Sequence, residues 1–133
     1  MAVVTEQRHT DMRGPVCIVD DDDWVCDSLR VLLEIHGFAV VACASGAEFL
    51  RADQRGAAKC LVIDHHMPGL DGLEVVAQLQ REGTVVPTIL ITGRLDAGIA
   101  QRASALGILA VLEKPFPVAR LVELIGSAVG PQG

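Results

Sequence analysis

The stretch Cys60–Gly72, CLVIDHHMPGLDG, joins an unbroken apolar run to an aspartate and then to a loop containing Pro and Gly. CLVI is short and apolar throughout, as expected of a strand covered on both faces. Asp64 closes the run. Seven residues on, Asp71 stands three before Glu74, the spacing of a helix-opening capping box. A covered strand that hands over to a helix in this way is half of a β-α unit. The triplet Asp64-His65-His66 poses a second question. It is either a metal-hydrolase signature or one reactive aspartate with histidine neighbours.

Outward from this stretch the same alternation repeats. Strands are predicted at Pro15–Asp20, Phe38–Cys43, Lys59–Asp64, Val86–Thr92 and Ile108–Glu113. Helices are predicted between and after them. The first starts at Asp22 or Asp23, carries Val25, Leu29, Leu32 and Leu33 on one face, and stops at Gly37. The second opens with Ser45 and Glu48, the third with Asp71 and Glu74. The fourth is capped by Asp96 and ended by Gly107, and the last has Pro117 near its first turn. Strict β-α alternation predicts a single α/β domain over residues 15–129, a doubly wound five-stranded parallel sheet with helices on both faces. Residues 1–14 are a polar N-terminal extension and 130–133 a short tail.

Composition agrees. The chain has 133 residues, half of them hydrophobic but only 3% aromatic, so the core is built from aliphatic side chains. The net charge of −6 gives no general basic footprint for nucleic acid. The four cysteines form no C-x-x-C pair, and three lie in apolar runs, which predicts buried, reduced thiols. No leader-like apolar region follows the N-terminal charges and no run is long enough to span a bilayer, so a cytoplasmic location is expected.

In a doubly wound sheet, functional groups collect at the carboxyl ends of the strands. Here those ends supply Asp20 with Asp21, Asp22 and Asp23, then Asp64, Thr92, and Glu113 with Lys114. Two carboxylates about 4 Å apart repel by about 4 kcal/mol at an effective dielectric of about 20. Such a cluster protonates, splays or takes up a hard cation such as Mg²⁺. With an ammonium and a hydroxyl beside it, the set suits phosphoryl transfer onto a carboxylate.

VCIVDDDDWVCDSLRVLLEIHGF, CLVIDHHMPGLDG, ILITG and LEKPF, in this order and spacing, resemble the landmarks of the response-regulator receiver domain, over roughly residues 15–129. ITG and EKPF resemble in particular the receivers of FixJ- and LuxR-type regulators. The resemblance implies a flavodoxin-like, CheY-like fold and a phosphoacceptor signalling role rather than substrate turnover. It implies that Asp64 accepts a phosphoryl group from a cognate sensor histidine kinase. Asp20 and Asp21 then organise Mg²⁺, with Asp21, Asp64 and the backbone carbonyl of His66 as ligands. Thr92 is the switch hydroxyl, Lys114 its partner at the phosphoryl group, and the Lys114–Pro115 bond is cis. Further partners implied are a histidine phosphotransfer protein or a downstream effector, and a second copy of the chain. No direct contact with nucleic acid or membrane is expected.

Three positions depart from or elaborate the pattern. Val111 stands where receivers usually carry an aromatic residue that swings inward. His66 and Arg94 occupy the two positions that tune dephosphorylation. Either they lengthen the life of the aspartyl phosphate or they are inert at an exposed rim. Trp24 and Phe116 lie on surfaces that set partner choice, and Trp24 is either a kinase-docking contact or a cover over the site. Asp22 and Asp23 are read as helix-start residues, Asp71 as a cap, and His65 as a loop residue.

The alternatives fit less well. A haloacid-dehalogenase-like Mg²⁺ phosphatase needs D-x-D-x-T or -V, whereas Trp24 follows Asp20-x-Asp22 with only Asp23 between. DHH phosphoesterases need more dispersed acids. The chain therefore reads as a single-domain regulator acting through protein contacts, with the isolated receiver of a longer DNA-binding transcription factor as the alternative.

Overall fold

The computed structural model describes residues 13–52 and 56–130. Strand β1 (Arg13–Val19) leads to helix α1 (Asp23–Ile35), and β2 (Phe38–Cys43) to α2 (Gly46–Arg51). Then come β3 (Cys60–Asp64), α3 (Gly72–Arg81), β4 (Thr88–Thr92), α4 (Ala97–Ala105), β5 (Ala110–Glu113) and α5 (Val118–Val129). All five strands run parallel in the order β2-β1-β3-β4-β5. The chain builds β2 on one side of β1, then crosses to place β3 on the other. That reversal makes the carboxyl ends of β1 and β3 the switch point of the sheet.

Strand periodicity divides the core into two. Cys17, Val19, Leu61, Ile63 and Leu90 face α2, α3 and α4, where they pack with Phe49, Leu73, Leu79, Ile99 and Ala103. Val16, Ile18, Val62, Ile89 and Ile91 face the other way, onto Leu29 and Leu33 of α1 and Leu121 and Ile125 of α5. All four cysteines are buried free thiols, and burial pushes Cys60 up to about 12 and Cys17 and Cys26 up to about 11. Protonated throughout the physiological range, they serve as small core residues.

The helix starts follow the capping chemistry. Asp22 accepts from the amides of Trp24 and Val25, which confirms it as a cap. Asp71 and Glu74 form a complete capping box, with bonds of 2.8 and 2.7 Å. Ser45 and Asp96 cap α2 and α4.

Some boundaries differ from the sequence reading. β1 begins at Arg13, inside the segment read as an extension, because the Arg13 amide bonds Gly37 at the head of β2. β4 begins only at Thr88, after Pro87, which has no amide to donate to a ladder. Pro117 stands at the cap of α5, beside its first turn as read. On α1 the deeply buried stripe is Cys26, Leu29 and Leu33, with Val25 and Leu32 only half-buried.

Two helical glycines differ in what surrounds them. A Cβ on Gly72 would lie 2.8 Å from Leu90 Cδ1, 2.9 Å from the Asp64 carbonyl oxygen and 3.0 Å from His65 Cα. A Cβ on Gly126 would meet nothing within 4 Å. The same substitution should therefore have opposite signs. Gly72→Ala should lower unfolding stability by roughly 1–3 kcal/mol through overpacking, and Gly126→Ala should raise it by roughly 0.5–1 kcal/mol through helix propensity. Urea unfolding of the two variants measures both.

Candidate functional site

At the switch point, Asp20 follows the last residue of β1 and Asp64 is the last residue of β3. One carboxylate oxygen from each of Asp20, Asp21 and Asp64 lies within 4.8 Å of the other two. Asp20 and Asp64 are 4% and 7% exposed, while Asp21 opens to solvent. One oxygen of Asp20 accepts the Asp22 amide at 2.9 Å, which holds it in place. Oδ1 of Asp64 is enclosed by protein yet accepts no hydrogen bond. Its nearest cation is Lys114 Nζ at 3.7 Å, an ion pair too long to be a hydrogen bond. Burial pushes both buried carboxyls above the ordinary carboxylate range, with the Lys114 ammonium pulling the other way.

Three carboxylates that each bring an oxygen to one place, one of them carrying an enclosed oxygen without a donor, suit a hard divalent cation such as Mg²⁺. The residues fit that ion, and Asp20, Asp21 and Asp64 are the side chains that would hold it.

Thr92, the last residue of β4, is fully buried. Its hydroxyl donates to the Arg94 carbonyl and accepts the Arg94 amide, both at 3.1 Å, and lies 2.9 Å from His66 Nε2. The Thr92 carbonyl accepts the Lys114 amide at 2.8 Å, so the β4 and β5 ends are tied together, and the Lys114–Pro115 peptide is cis as expected. Glu113 reinforces this by accepting the Leu95 amide at 2.9 Å.

Several residues sit differently from their sequence reading. The His66 residue is exposed at the rim, and its side chain also bonds Thr92. Arg94 reaches Thr92 through its backbone while its residue is exposed. His65 lies in the loop after β3 as read, but it is buried at 6% exposure, and burial lowers its pKa. Its Nδ1 lies 3.9 Å from Asp71 Oδ1, which Arg102 of α4 also approaches at 3.6 Å. The signal for this was strand alternation: continued past Asp64, it sends consecutive histidines to opposite sides. Val111 is half-buried against the α2–α3–α4 core. Phe116 packs partly onto the α1–α5 core. Trp24 is 76% exposed, which is incompatible with a close cover over the site.

The raised carboxyls fix the sign of a pH effect. A folded-state pKa above the unfolded value favours the protonated form in the fold. Stability from Asp20 and Asp64 is therefore complete at acid pH and lost as pH rises through their folded values. In chelator, stability should fall as pH rises above the ordinary carboxylate range, and Asp64→Asn should flatten that fall. Adding Mg²⁺ to a hundredfold excess over its Kd at neutral pH should restore about 2.7 kcal/mol. Urea melts across pH, with and without the cation, provide the check.

Comparison with known proteins agrees with this geometry. Residues 16–126 match the family model of the response regulator receiver domain. The transcriptional regulatory protein FixJ of Azorhizobium caulinodans is 40% identical over 116 residues, covering 87% of this chain and 55% of that protein. The response regulator protein TodT of Pseudomonas putida is 36% identical over 124 residues, covering 92% and 53%. The chain thus spans about half the length of the curated relatives it matches. Among solved structures, FixJ-N superposes with a TM-score of 0.77 at 34% identity, covering 86% of this chain and 92% of that one. A response regulator receiver domain protein from Clostridium thermocellum gives 0.80 at 25% identity, covering 87% and 94%. With its sheet order, its acidic switch point and its match over most of its length, the chain belongs to the response regulator receiver domain family of two-component signalling.

Proposed function

We propose that Asp64 accepts a phosphoryl group from the phosphohistidine of a sensor histidine kinase, in a Mg²⁺-dependent reaction. The observation that carries this reading is the enclosed Asp64 Oδ1, which has no donor of its own and lies 3.7 Å from Lys114 Nζ. In the transfer, a carboxylate oxygen of Asp64 bonds to phosphorus. The P–N bond breaks, and its electron pair returns to the kinase imidazole. Asp20, Asp21 and Asp64 would hold the Mg²⁺, with the His66 backbone carbonyl as a further ligand by family resemblance, and the bound ion would supply positive charge against the phosphoryl oxygens. The Lys114 ammonium offsets the charge added to Asp64, and the Thr92 hydroxyl turns to donate to a phosphoryl oxygen. Hydrolysis later returns Asp64 to its carboxylate, so the protein is a self-acting signal carrier.

Output follows through altered protein–protein contacts, with a phosphotransfer protein, a downstream effector or a second copy of the chain as the recipient. Val111 in place of an aromatic switch removes the ring rotation, so the signal travels through the loop after Thr92 and its tie to Glu113. A second reading, the receiver of a longer DNA-binding transcription factor, is favoured by one observation. Relatives such as FixJ are named transcriptional regulators, and this chain spans about half their length. In that reading the same contacts are made within one polypeptide.

Incubation with acetyl phosphate and Mg²⁺ should add one phosphoryl mass to the parental protein, and Asp64→Asn should abolish it. An unlabelled parental protein, or undiminished label on the variant, would defeat the phosphoacceptor reading. Release of phosphate from a phosphomonoester with turnover would instead indicate a phosphatase. The exposed Trp24 beside the acidic cluster is assigned to kinase docking. Trp24→Ala should slow phosphotransfer from the kinase several-fold and leave labelling by acetyl phosphate unchanged, and equal slowing from both donors would reject the docking role.

A further inference from the structure

Thr92 must free its hydroxyl if it is to donate to a phosphoryl group, and the structure shows how that hydroxyl is held. A threonine hydroxyl has one proton to donate and two lone pairs. The proton goes to the Arg94 carbonyl and one lone pair accepts the Arg94 amide, each at 3.1 Å. The remaining lone pair faces His66 Nε2 at 2.9 Å. Nε2 donates in that bond when the imidazole carries its proton there; in the other tautomer the hydroxyl proton turns from the Arg94 carbonyl to Nε2, and the bond remains. In the first tautomer all three bonding capacities of the hydroxyl are occupied, and only one of its partners is a side chain. The backbone bonds belong to the tight turn after β4 and depend on no residue type. The imidazole bond depends on His66 alone.

From this geometry we infer that the His66 side chain is a positioning residue, a latch that holds the Thr92 hydroxyl in its resting place and opposes its turn toward a phosphoryl group on Asp64. The inference rests on the phosphoacceptor reading and adds to it a residue that sets the balance between resting and active forms. Three features place the latch where it can act. His66 is exposed, so its ring can leave without opening the core. It stands two residues from Asp64 on the loop that leaves β3, so the group being released and the group being modified share one short segment. His65 packs edge-on against it, with ring centroids 5.0 Å apart, and restricts where the His66 ring can lie. Thr92, by contrast, is fully buried and can change partners only by rotating its own side chain. The latch is thus the adjustable part of an otherwise fixed arrangement.

Beryllofluoride with Mg²⁺, an acyl-phosphate mimic, reads the balance directly, because it binds Asp64 without a chemical step. By calorimetry, His66→Ala should bind it roughly fivefold more tightly than the parental protein, the loss of about one neutral hydrogen bond from the resting form. His66→Gln, which keeps a side-chain donor, should lie closer to the parental value. In a Thr92→Val background, where the hydroxyl is gone, His66→Ala should have no effect on the affinity. Weaker binding by His66→Ala would mean that the imidazole contacts the phosphoryl group, and would overturn the latch. So would an unchanged affinity, or an equal gain in the Thr92→Val background. Failure of the parental protein to bind beryllofluoride at all would instead overturn the phosphoacceptor reading, and the latch would fall with it.

Discussion

Electrostatic frustration at the switch point is the constraint on which the rest of this structure depends. Three carboxylates each bring an oxygen within 4.8 Å of the others, two of them buried, with the Lys114 ammonium at 3.7 Å from one oxygen of Asp64. Hydrophobic packing on both sides of the sheet holds them there, since Asp20 directly follows the buried run Val16–Val19 and Asp64 ends β3, which is buried throughout. Asp20 and Asp64 cannot retreat to solvent without pulling β1 or β3 out of register. The core therefore does more than stabilise the domain. It sustains a charge arrangement that would disperse on a flexible scaffold, and the unfilled bonding capacity of Asp64 is the outcome.

The sheet's alternation makes this possible at low cost. Odd-numbered residues such as Cys17, Val19, Leu61 and Ile63 anchor one helical layer, and Ile18 and Val62 anchor the other. The carboxyl edge is left as a seam between two separately packed cores. Functional groups placed on that seam perturb neither core, so it can hold buried acids, a buried hydroxyl and a lysine together.

Much of this was legible in the sequence. Short β-branched runs broken by amphipathic stretches determine the parallel sheet, and the acids, Thr92 and Lys114 at the run ends identify the edge. Helix caps at Asp22, Ser45, Asp71 and Asp96 could be read from local spacing because capping is a local interaction. What could not be read were contacts between segments distant in sequence. His66 meets Thr92 across 26 positions, and Arg102 meets Asp71 across 31, through the relative placement of β3, β4 and α4. Edge details were lost for a related reason. The start of β1 at Arg13 depends on an acceptor at Gly37, and nothing near Arg13 in the sequence advertises it.

The absent side chain at Gly72 has a consequence for how the domain can transmit force. Its backbone lies so close to the Asp64 carbonyl and the Leu90 side chain that α3 and the β3 end form one rigid jaw. On the opposite flank, the turn after β4 is exposed and suspended from the Thr92 hydroxyl and the Glu113 carboxylate. A strain applied at Asp64 meets a clamped wall on one side and a tethered span on the other. The close packing on the first flank exists because Gly72 lacks the methyl group that would push the two elements apart.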